Sequence, residues 1–435
     1  MNITRRKLFG MAAAAGFASR LARPDDTDPT RMIVRSLSPT DLEMPLQGFN
    51  EAITPIDRFF VRCHTLTPKV DAKTWNLKID GLVSRPLTLT MADLRKMPRF
   101  ELVAVLECAG NGRTFYEPHV PGTQWAFGSV GNGRWTGVRL KDVLEKAGIK
   151  DSATELLLDG ADTPLGSMDD FRRTVTVKKA LDPDTMLAYE MNGQPLPTQH
   201  GFPLRLIAPG WAGDSWVKWL THIEVLDHEF DGFWMKTAYR HPPGHVAPGT
   251  AVDAAQMIPV TDLNVKSVIA TPASGPLLTA SAKISGAAWS NSSPVAGVDV
   301  STDGGKTWTA ATLSKDLGRY SWRNWELSWT PPGTGEYVLM SRARNAAGTV
   351  QPMEQEWNPS GYLWNVSQPV KVQVDYPAGY KGACMPCHDE HMMMQQHLTR
   401  TQWEREVDKM VRWGAQVKPE DREGILSYLA GRYKQ

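Results

Sequence analysis

The period of the apolar positions changes along the chain, and each change marks a region. Residues 25–55 hold no sustained period and read as an extended, proline-punctuated lead-in. From about 56 to 250, short apolar runs bounded by polar residues or Gly/Pro alternate with short helical patterns. Val103 to Leu106 and Pro203 to Ala208 read as buried strands. Leu140, Val143, Leu144 and Ala147 share one helical face, and Gly148 supplies the stop. A mixed α+β domain over 25–250 is expected, ending in the Pro/Gly-rich stretch Pro242 to Pro248. From about 255 to 375 the period becomes two. Val298-Asp299-Val300-Ser301 runs into Asp303-Gly304-Gly305 and then Trp308, a hairpin signal, and Tyr337 to Met340 and Val370 to Val374 alternate likewise. This region reads as an antiparallel, immunoglobulin-like β-sandwich. Past Tyr376-Pro377-Ala378-Gly379 a helical period returns. Thr401-Gln402-Trp403-Glu404 reads as a capping box whose helix carries Val407, Met410 and Val411 on one face and stops at Gly414. Pro419 opens a second helix with Ile425, Leu426 and Leu429. A small all-α domain over 377–435 follows, too short to build much of a core unaided.

Composition narrows the class. The 435 residues imply two or three domains, and 41% hydrophobic with 22% charged residues describes a soluble globular protein. A net charge of +1 gives no basic excess for nucleic acid. No apolar run reaches the ~18–20 residues that span a bilayer, so no stable membrane insertion is expected. The N-terminus differs in kind: Thr4-Arg5-Arg6-Lys7-Leu8-Phe9-Gly10 leads an uncharged stretch to Ala18. Over residues 1–24 this reads as an export signal of the twin-arginine type, which carries folded proteins to the periplasm; the competing reading is an ordinary helix with two solvated arginines.

The four cysteines are Cys63, Cys108, Cys384 and Cys387. Cys384-Met385-Pro386-Cys387-His388 is Cys-x-x-Cys-His, the attachment sequence of c-type haem. Its two thiols add to the porphyrin and His388 ligates the iron from below. One haem c would also fill the middle of the small C-terminal domain. A zinc half-site or redox dithiol is the rival, but zinc would need a second ligand pair, and His391 and His397 are the nearest candidates. Met410, on the apolar helix face, is the expected sixth ligand; Met392, Met393 and Met394 follow His388 too closely for easy return to the opposite haem face. Cys63 and Cys108 are then left, and a bridge between them stays open.

Leu106-Glu107-Cys108-Ala109-Gly110-Asn111-Gly112-Arg113 follows directly on an apolar strand. A cysteine there is presented to a ligand; thiolates favour soft metals, and Arg113 would hold the thiolate charged. The segment closely resembles the molybdenum-binding signature of the sulfite oxidase family. In the family's order come Phe60-Val61-Arg62-Cys63-His64, Gly122-Thr123-Gln124-Trp125, Gly133 to Val138, Ala188 to Gly193, His200 to Arg205 and Trp216-Val217-Lys218-Trp219. The sandwich hairpin is similar to the family's dimerisation domain, and the resemblance covers about residues 50–375.

The resemblance implies that Cys108 ligates molybdenum, and that Phe60, Val61, Arg62, Cys63, His64, Asp162, His200, Arg205, Trp216, Val217 and Lys218 hold a molybdopterin and its phosphate. Arg62 and Arg113 would bind an oxyanion substrate, with Tyr239 as proton-handling partner and Trp125 lining the pocket. The implied reaction is periplasmic oxidation of sulfite to sulfate. Electrons would pass through the chain's own haem to an external c-type cytochrome, and a homodimer would form through the sandwich. Three positions depart from the animal members. Cys63 stands where they carry Asn, Ser360 replaces a third substrate arginine, and Pro121 replaces a lysine. Three alternatives stay open: the same fold acting on sulfane sulfur, nitrate or an organic sulfur compound, a haem electron carrier without catalysis, or a disulfide-stabilised binding module.

Overall fold

The computed structural model describes residues 32–433 apart from 276, 279, 280 and 355. The expected export segment, residues 1–24, lies outside the described residues. The lead-in is more ordered than its sequence suggests. Strands Ile33–Leu37 and Thr40–Glu43 pair as a hairpin, and the second pairs Val61–Arg62, setting Asp41 opposite Arg62. Those partners are distant in sequence, so no local period announces them.

Two five-stranded sheets build the α+β domain. One runs Gln194–Pro195, Met186–Met191, Val130–Arg139, Phe100–Glu107, with Arg205–Ile207 also on Met186–Met191. The other runs Leu87–Leu89, Leu77–Gly81, Leu220–Leu226, Glu155–Gly160, Arg173–Thr176, with one parallel pair, Leu77–Gly81 on Leu220–Leu226. The expected strands are present as Phe100–Glu107 and Arg205–Ile207. Helix Leu140–Ala147 buries its four apolar positions and ends at Gly148, whose φ of 69° suits glycine.

The sandwich packs a sheet of Lys266–Thr271, Ala282–Trp289, Arg323–Trp329 and Thr312–Leu313 against one of Leu277–Leu278, Val370–Val374, Gly335–Asn345, Val295–Ser301 and Thr309–Ala310. The Asp303 hairpin forms as expected, its carboxylate accepting from the Lys306 and Thr307 amides. The sandwich also closes the open edge of strand Phe100–Glu107: the Val105 amide donates to Tyr320 O at 2.9 Å. Between the two domains lies a core that includes Phe49, Val105, Trp289 and Trp322.

At the seam sits a buried carboxylate. Glu107, 4% exposed, accepts from Lys266 Nζ at 2.6 Å, Trp289 Nε1 at 2.6 Å and Asn111 Nδ2 at 2.8 Å. All three donors are fully desolvated with it.

Helices Tyr380–Cys384, Glu390–Met394, Arg400–Arg412 and Pro419–Arg432 complete the described chain. The third starts two residues earlier than the sequence suggests. Thr399 is its cap and Gln402 the reciprocal partner, leaving Thr401 inside the first turn. Both Thr399 and Thr401 have Glu or Gln three residues on; Thr399 wins because its backbone is still extended (φ −66°, ψ 162°). Pro419 opens the last helix as expected. Trp403, Ile425, Leu426 and Leu429 form the core, and Glu390 accepts from the Tyr376 and Tyr433 hydroxyls at 2.9 and 2.8 Å. The bundle docks on the sandwich, where the Arg432 guanidinium donates to the Pro331 and Pro332 carbonyls. Among the described residues no helix is long and apolar enough to cross a membrane.

Lys266→Met should cost about 3–5 kcal/mol of stability, because it strands the Glu107 charge in a dry interior. Urea unfolding of wild type and variant at neutral pH measures it; an unchanged midpoint would mean the pair is not desolvated.

Candidate active site

Strand ends and loops converge on one cleft of about 690 Å³, mouth included. Cys108 follows the last residue of strand Phe100–Glu107, and its amide donates to Ser129 O at 2.9 Å. Asn111 ties the turn down. It donates to Glu107 and accepts from the Ser129 amide and hydroxyl at 3.2 and 3.0 Å. Gly112, at φ +89°, lets the turn pass against Trp364, where a Cβ would stand 2.6 Å from the indole. Cys108 is thereby presented, partly exposed, to the cleft. Burial pushes its thiol pKa up, against the pull of Arg62 and Arg113. Ligation of a metal cation would work against that burial and favour the thiolate.

The cleft is rich in cations. Arg62 leaves its strand beside Asp41, with Nη1–Oδ1 at 3.2 Å. Asp41 also accepts from the Cys63 amide and the Thr123 hydroxyl, so the Arg62 segment is held from three sides. Lys218 Nζ donates to Arg62 O, Gln199 O and Cys63 Sγ at 3.0, 2.9 and 3.2 Å. Arg205 is 3% exposed; among the described residues it donates to the His200 and Trp216 carbonyls, and its Nε has no partner. Burial brings its pKa down to about 9, and His200, buried beside Lys218 and Arg205, falls to about 3. Against these stand Asp162, which accepts from Thr65 Oγ1 at 3.0 Å, and Asp214. This donor set suits an anionic, oxygen-rich ligand.

One wall is aromatic. The Tyr239 hydroxyl lies 2.5 Å from His64 Nε2, and His64 stacks on Phe171 at 4.1 Å. Burial, helped by Arg62, Lys218 and Arg173, depresses the His64 pKa well below the usual range. Burial raises that of Tyr239, so both groups are neutral. Tyr239 holds φ at 53°, a left-handed conformation unusual for tyrosine and of the kind concentrated at functional sites.

Most of the expected residues meet here. Phe60, Val61, Arg62, Cys63, His64, Cys108, Asp162, His200, Arg205, Trp216, Lys218 and Tyr239 all line the cleft. Val217 lies just behind it, its carbonyl accepting from the Leu206 amide. Trp125 is a correction. It is fully buried and does not line the cleft; its carbonyl accepts from the Thr114 amide at 3.1 Å, which ties it to the Arg113–Phe115 turn. Arg113 stands behind Cys108 rather than among the lining side chains, 7% exposed. Cys63 and Cys108 are free thiols, which removes the bridge and with it the disulfide-stabilised binding module. The sequence reading missed Phe171, Gln199 and the buried pair Arg173–Asp214, Nη2–Oδ2 2.5 Å. Gly213-Asp214-Ser215 immediately precedes the Trp216 block and was the available signal for Asp214. Arg173 had none.

A second, larger cavity of about 1620 Å³ opens in the C-terminal bundle. Cys384, Cys387, His388 and Met410 line it, with apolar side chains from Trp403 and Leu429. Met392 and Met393, on helix Glu390–Met394, line it too.

Comparison with known proteins decides the family. The profile described as "Oxidoreductase molybdopterin binding domain" matches residues 64–234, and "Mo-co oxidoreductase dimerisation domain" matches 257–375. Mitochondrial sulfite oxidase of Homo sapiens is 36% identical over 372 residues, covering 81% of this chain and 68% of that one. The chain belongs to the sulfite oxidase family. This sulfite oxidase family member is therefore a molybdopterin-dependent oxidoreductase. Sulfite oxidase of Arabidopsis thaliana is 31% identical over 359 residues, covering 76% of this chain and 91% of that one. Among solved structures, sulfane dehydrogenase SoxCD of Paracoccus pantotrophus superposes with a TM-score of 0.70 at 29% identity, covering 84% of this chain and 93% of that one.

The depressed His200 pKa carries a prediction. Between the unfolded value of 6.5 and about 3, the unfolded chain binds a proton on His200 that the folded protein does not. Stability from this group is complete above pH 6.5 and falls by about 1.4 kcal/mol per unit as pH drops. His200→Gln should remove that slope from urea unfolding energies collected across the acid range. Parallel curves for the two proteins would show His200 protonated in the fold.

Proposed function

We propose that this enzyme oxidises sulfite to sulfate in the periplasm and passes electrons to an external c-type cytochrome. The balanced reaction is sulfite plus water to sulfate, two protons and two electrons. The bound molybdenum cofactor supplies oxygen-atom transfer and takes up the electron pair. Cys108 holds the metal. Phe60 to His64, Asp162, His200, Arg205, Trp216, Val217 and Lys218 hold the pterin and its phosphate. The observation that carries this reading is Arg205: a buried guanidinium that, among the described residues, has no carboxylate and an unpartnered Nε has the chemistry of a phosphate site. Arg62 and Arg113 bind the sulfite dianion, and a low-polarity pocket strengthens their attraction. Tyr239 and His64, neutral and 2.5 Å apart, hold the proton at the phenol–imidazole contact.

The C-terminal bundle would carry one haem c, attached at Cys384 and Cys387, with His388 and Met410 as its iron ligands. The cavity beside this Cys-x-x-Cys-His sequence supports that assignment. The haem supplies one-electron exchange with the acceptor. The arginine pair in residues 1–24 supports folded export, which loads molybdopterin before transit and haem after it. The sandwich supports a homodimer, given its match to a dimerisation domain. A second reading, oxidation of a sulfane sulfur on the same site, draws on the likeness to SoxCD.

Steady-state oxidation of sulfite with cytochrome c as acceptor, alongside molybdenum and haem content, tests the proposal. Turnover is expected in protein that contains both; molybdenum-loaded protein inert to sulfite but active on a sulfane donor would transfer the function to the second reading. Arg113→Gln should lower kcat/KM for sulfite by an amount equivalent to about 2–5 kcal/mol. An unchanged kcat/KM would take Arg113 out of the substrate site.

A further inference from the structure

The two arginines assigned to the substrate are balanced by different means. Arg62 has a carboxylate, Asp41, at 3.2 Å. Arg113 is more buried and, among the described residues, pairs with no carboxylate. Nη1 donates to the Thr123 carbonyl at 3.2 Å, and Nε has no acceptor. Backbone crowds it on three sides. A Cβ added to Gly110, Gly122 or Gly361 would stand 2.8, 2.7 or 3.0 Å from the Arg113 side chain. The remaining neighbour is a ring: Arg113 Cζ lies 5.0 Å from the centroid of Tyr362.

The same ring stacks on Tyr239 at 5.3 Å and 15°, and Tyr239 in turn carries Arg173 at 5.1 Å. Arg113, Tyr362, Tyr239 and Arg173 therefore form a continuous series of cation–ring and ring–ring contacts. Tyr362 is itself held firmly. Its amide donates to Asn358 Oδ1 at 3.3 Å, and its carbonyl accepts from the Tyr116 hydroxyl at 2.5 Å. The next residue, Leu363, sits at φ 61° and donates its amide to Ala109 O at 2.9 Å, one residue beyond Cys108. The Trp357-Asn358-Pro359-Ser360-Gly361-Tyr362 segment thus reaches from the sandwich to the metal-ligand turn.

We propose that Tyr362 is the positioning residue for Arg113 and sets anion affinity at the active site. A carboxylate beside Arg113 would hold the guanidinium but compete with the substrate for its donors. The face of an aromatic ring stabilises the desolvated cation and accepts none of its in-plane hydrogen bonds. Arg113 is thereby held in place behind Cys108, with in-plane donors left for an oxyanion. This block offers Ser360 where a further cation is expected, and the Ser360 hydroxyl donates to Met257 Sδ at 3.9 Å. The segment contributes a π face instead of a third charge. The inference rests on the reading of Arg113 as an anion-binding residue, not on sulfite as the substrate.

The test uses molybdenum-loaded full-length protein carrying Tyr362→Phe, Tyr362→Leu or Tyr362→Met, read by KM and kcat for sulfite and by the dissociation constant of sulfate. Loss of the ring in the Leu and Met variants should raise KM and the sulfate constant about tenfold, with kcat changed far less. Phe keeps the ring and should stay close to wild type in both. In an Arg113→Gln background, Tyr362→Leu should add almost nothing, since its effect runs through Arg113. Met fills similar space, so it remains readable if the Leu variant fails to fold. Three outcomes overturn the proposal: Leu and Met leave both constants unchanged, Phe is as impaired as Leu, or the double variant is additive. Should wild type prove inert to sulfite, the functional reading fails, while the sulfate arm still decides the role of Tyr362.

Discussion

The arrangement of the active site depends on one buried carboxylate. Glu107 ends the strand that presents Cys108, and its oxygens accept from Lys266 and Trp289 of the sandwich and Asn111 of the turn. The turn cannot shift without breaking a charge-assisted bond in a dry interior, where no water would replace it. The sandwich is therefore part of the catalytic apparatus. It fixes the ligand-bearing turn through Glu107, covers the strand edge through Tyr320, and sends Tyr362 to the side of Arg113.

Around that anchor, the cleft concentrates positive charge and leaves part of it uncompensated. Asp41 neutralises Arg62, and Asp214 neutralises Arg173, but Arg205 and Arg113 are left to carbonyls and a ring. Burial lowers the pKa values of Arg205 and His200, the direction expected of cations held away from water. Among the described residues, neither Arg205 nor Arg113 has a carboxylate partner.

Much of this was legible in the sequence, because each block of the cleft is local. Phe60 to His64, Cys108, His200 to Arg205 and Trp216 to Lys218 each bring their donors within a few residues. The turns between strands then need only converge. What escaped was non-local or geometric. Glu107 and Lys266 lie 159 residues apart, and Arg173 meets Asp214 across 41. Trp125 sits in a family block yet is fully buried and absent from the cleft lining, a placement that composition cannot reveal. The lead-in hairpin was unreadable for the same reason: Asp41 gains its meaning only opposite Arg62. In the C-terminal helices, the choice between Thr399 and Thr401 as cap turned on backbone angles.

The attachment of the C-terminal bundle has a consequence for distance. Five residues separate Val374 from helix Tyr380–Cys384. They are pinned by Lys381 on Asp375 at 3.0 Å and by Tyr376 stacked on Tyr380 at 4.9 Å. Arg432 grips the sandwich turn at Pro331 and Pro332 from the other side. Strand Ala282–Trp289 runs between the two ends. Trp289 touches Glu107, while Ser281, just before Ala282, lies beside Gly431. Its eight residues, at ~3.3 Å each, make a ruler of roughly 25 Å. Whatever traffic runs between cleft and bundle within one chain meets a gauge cut by the length of a β-strand.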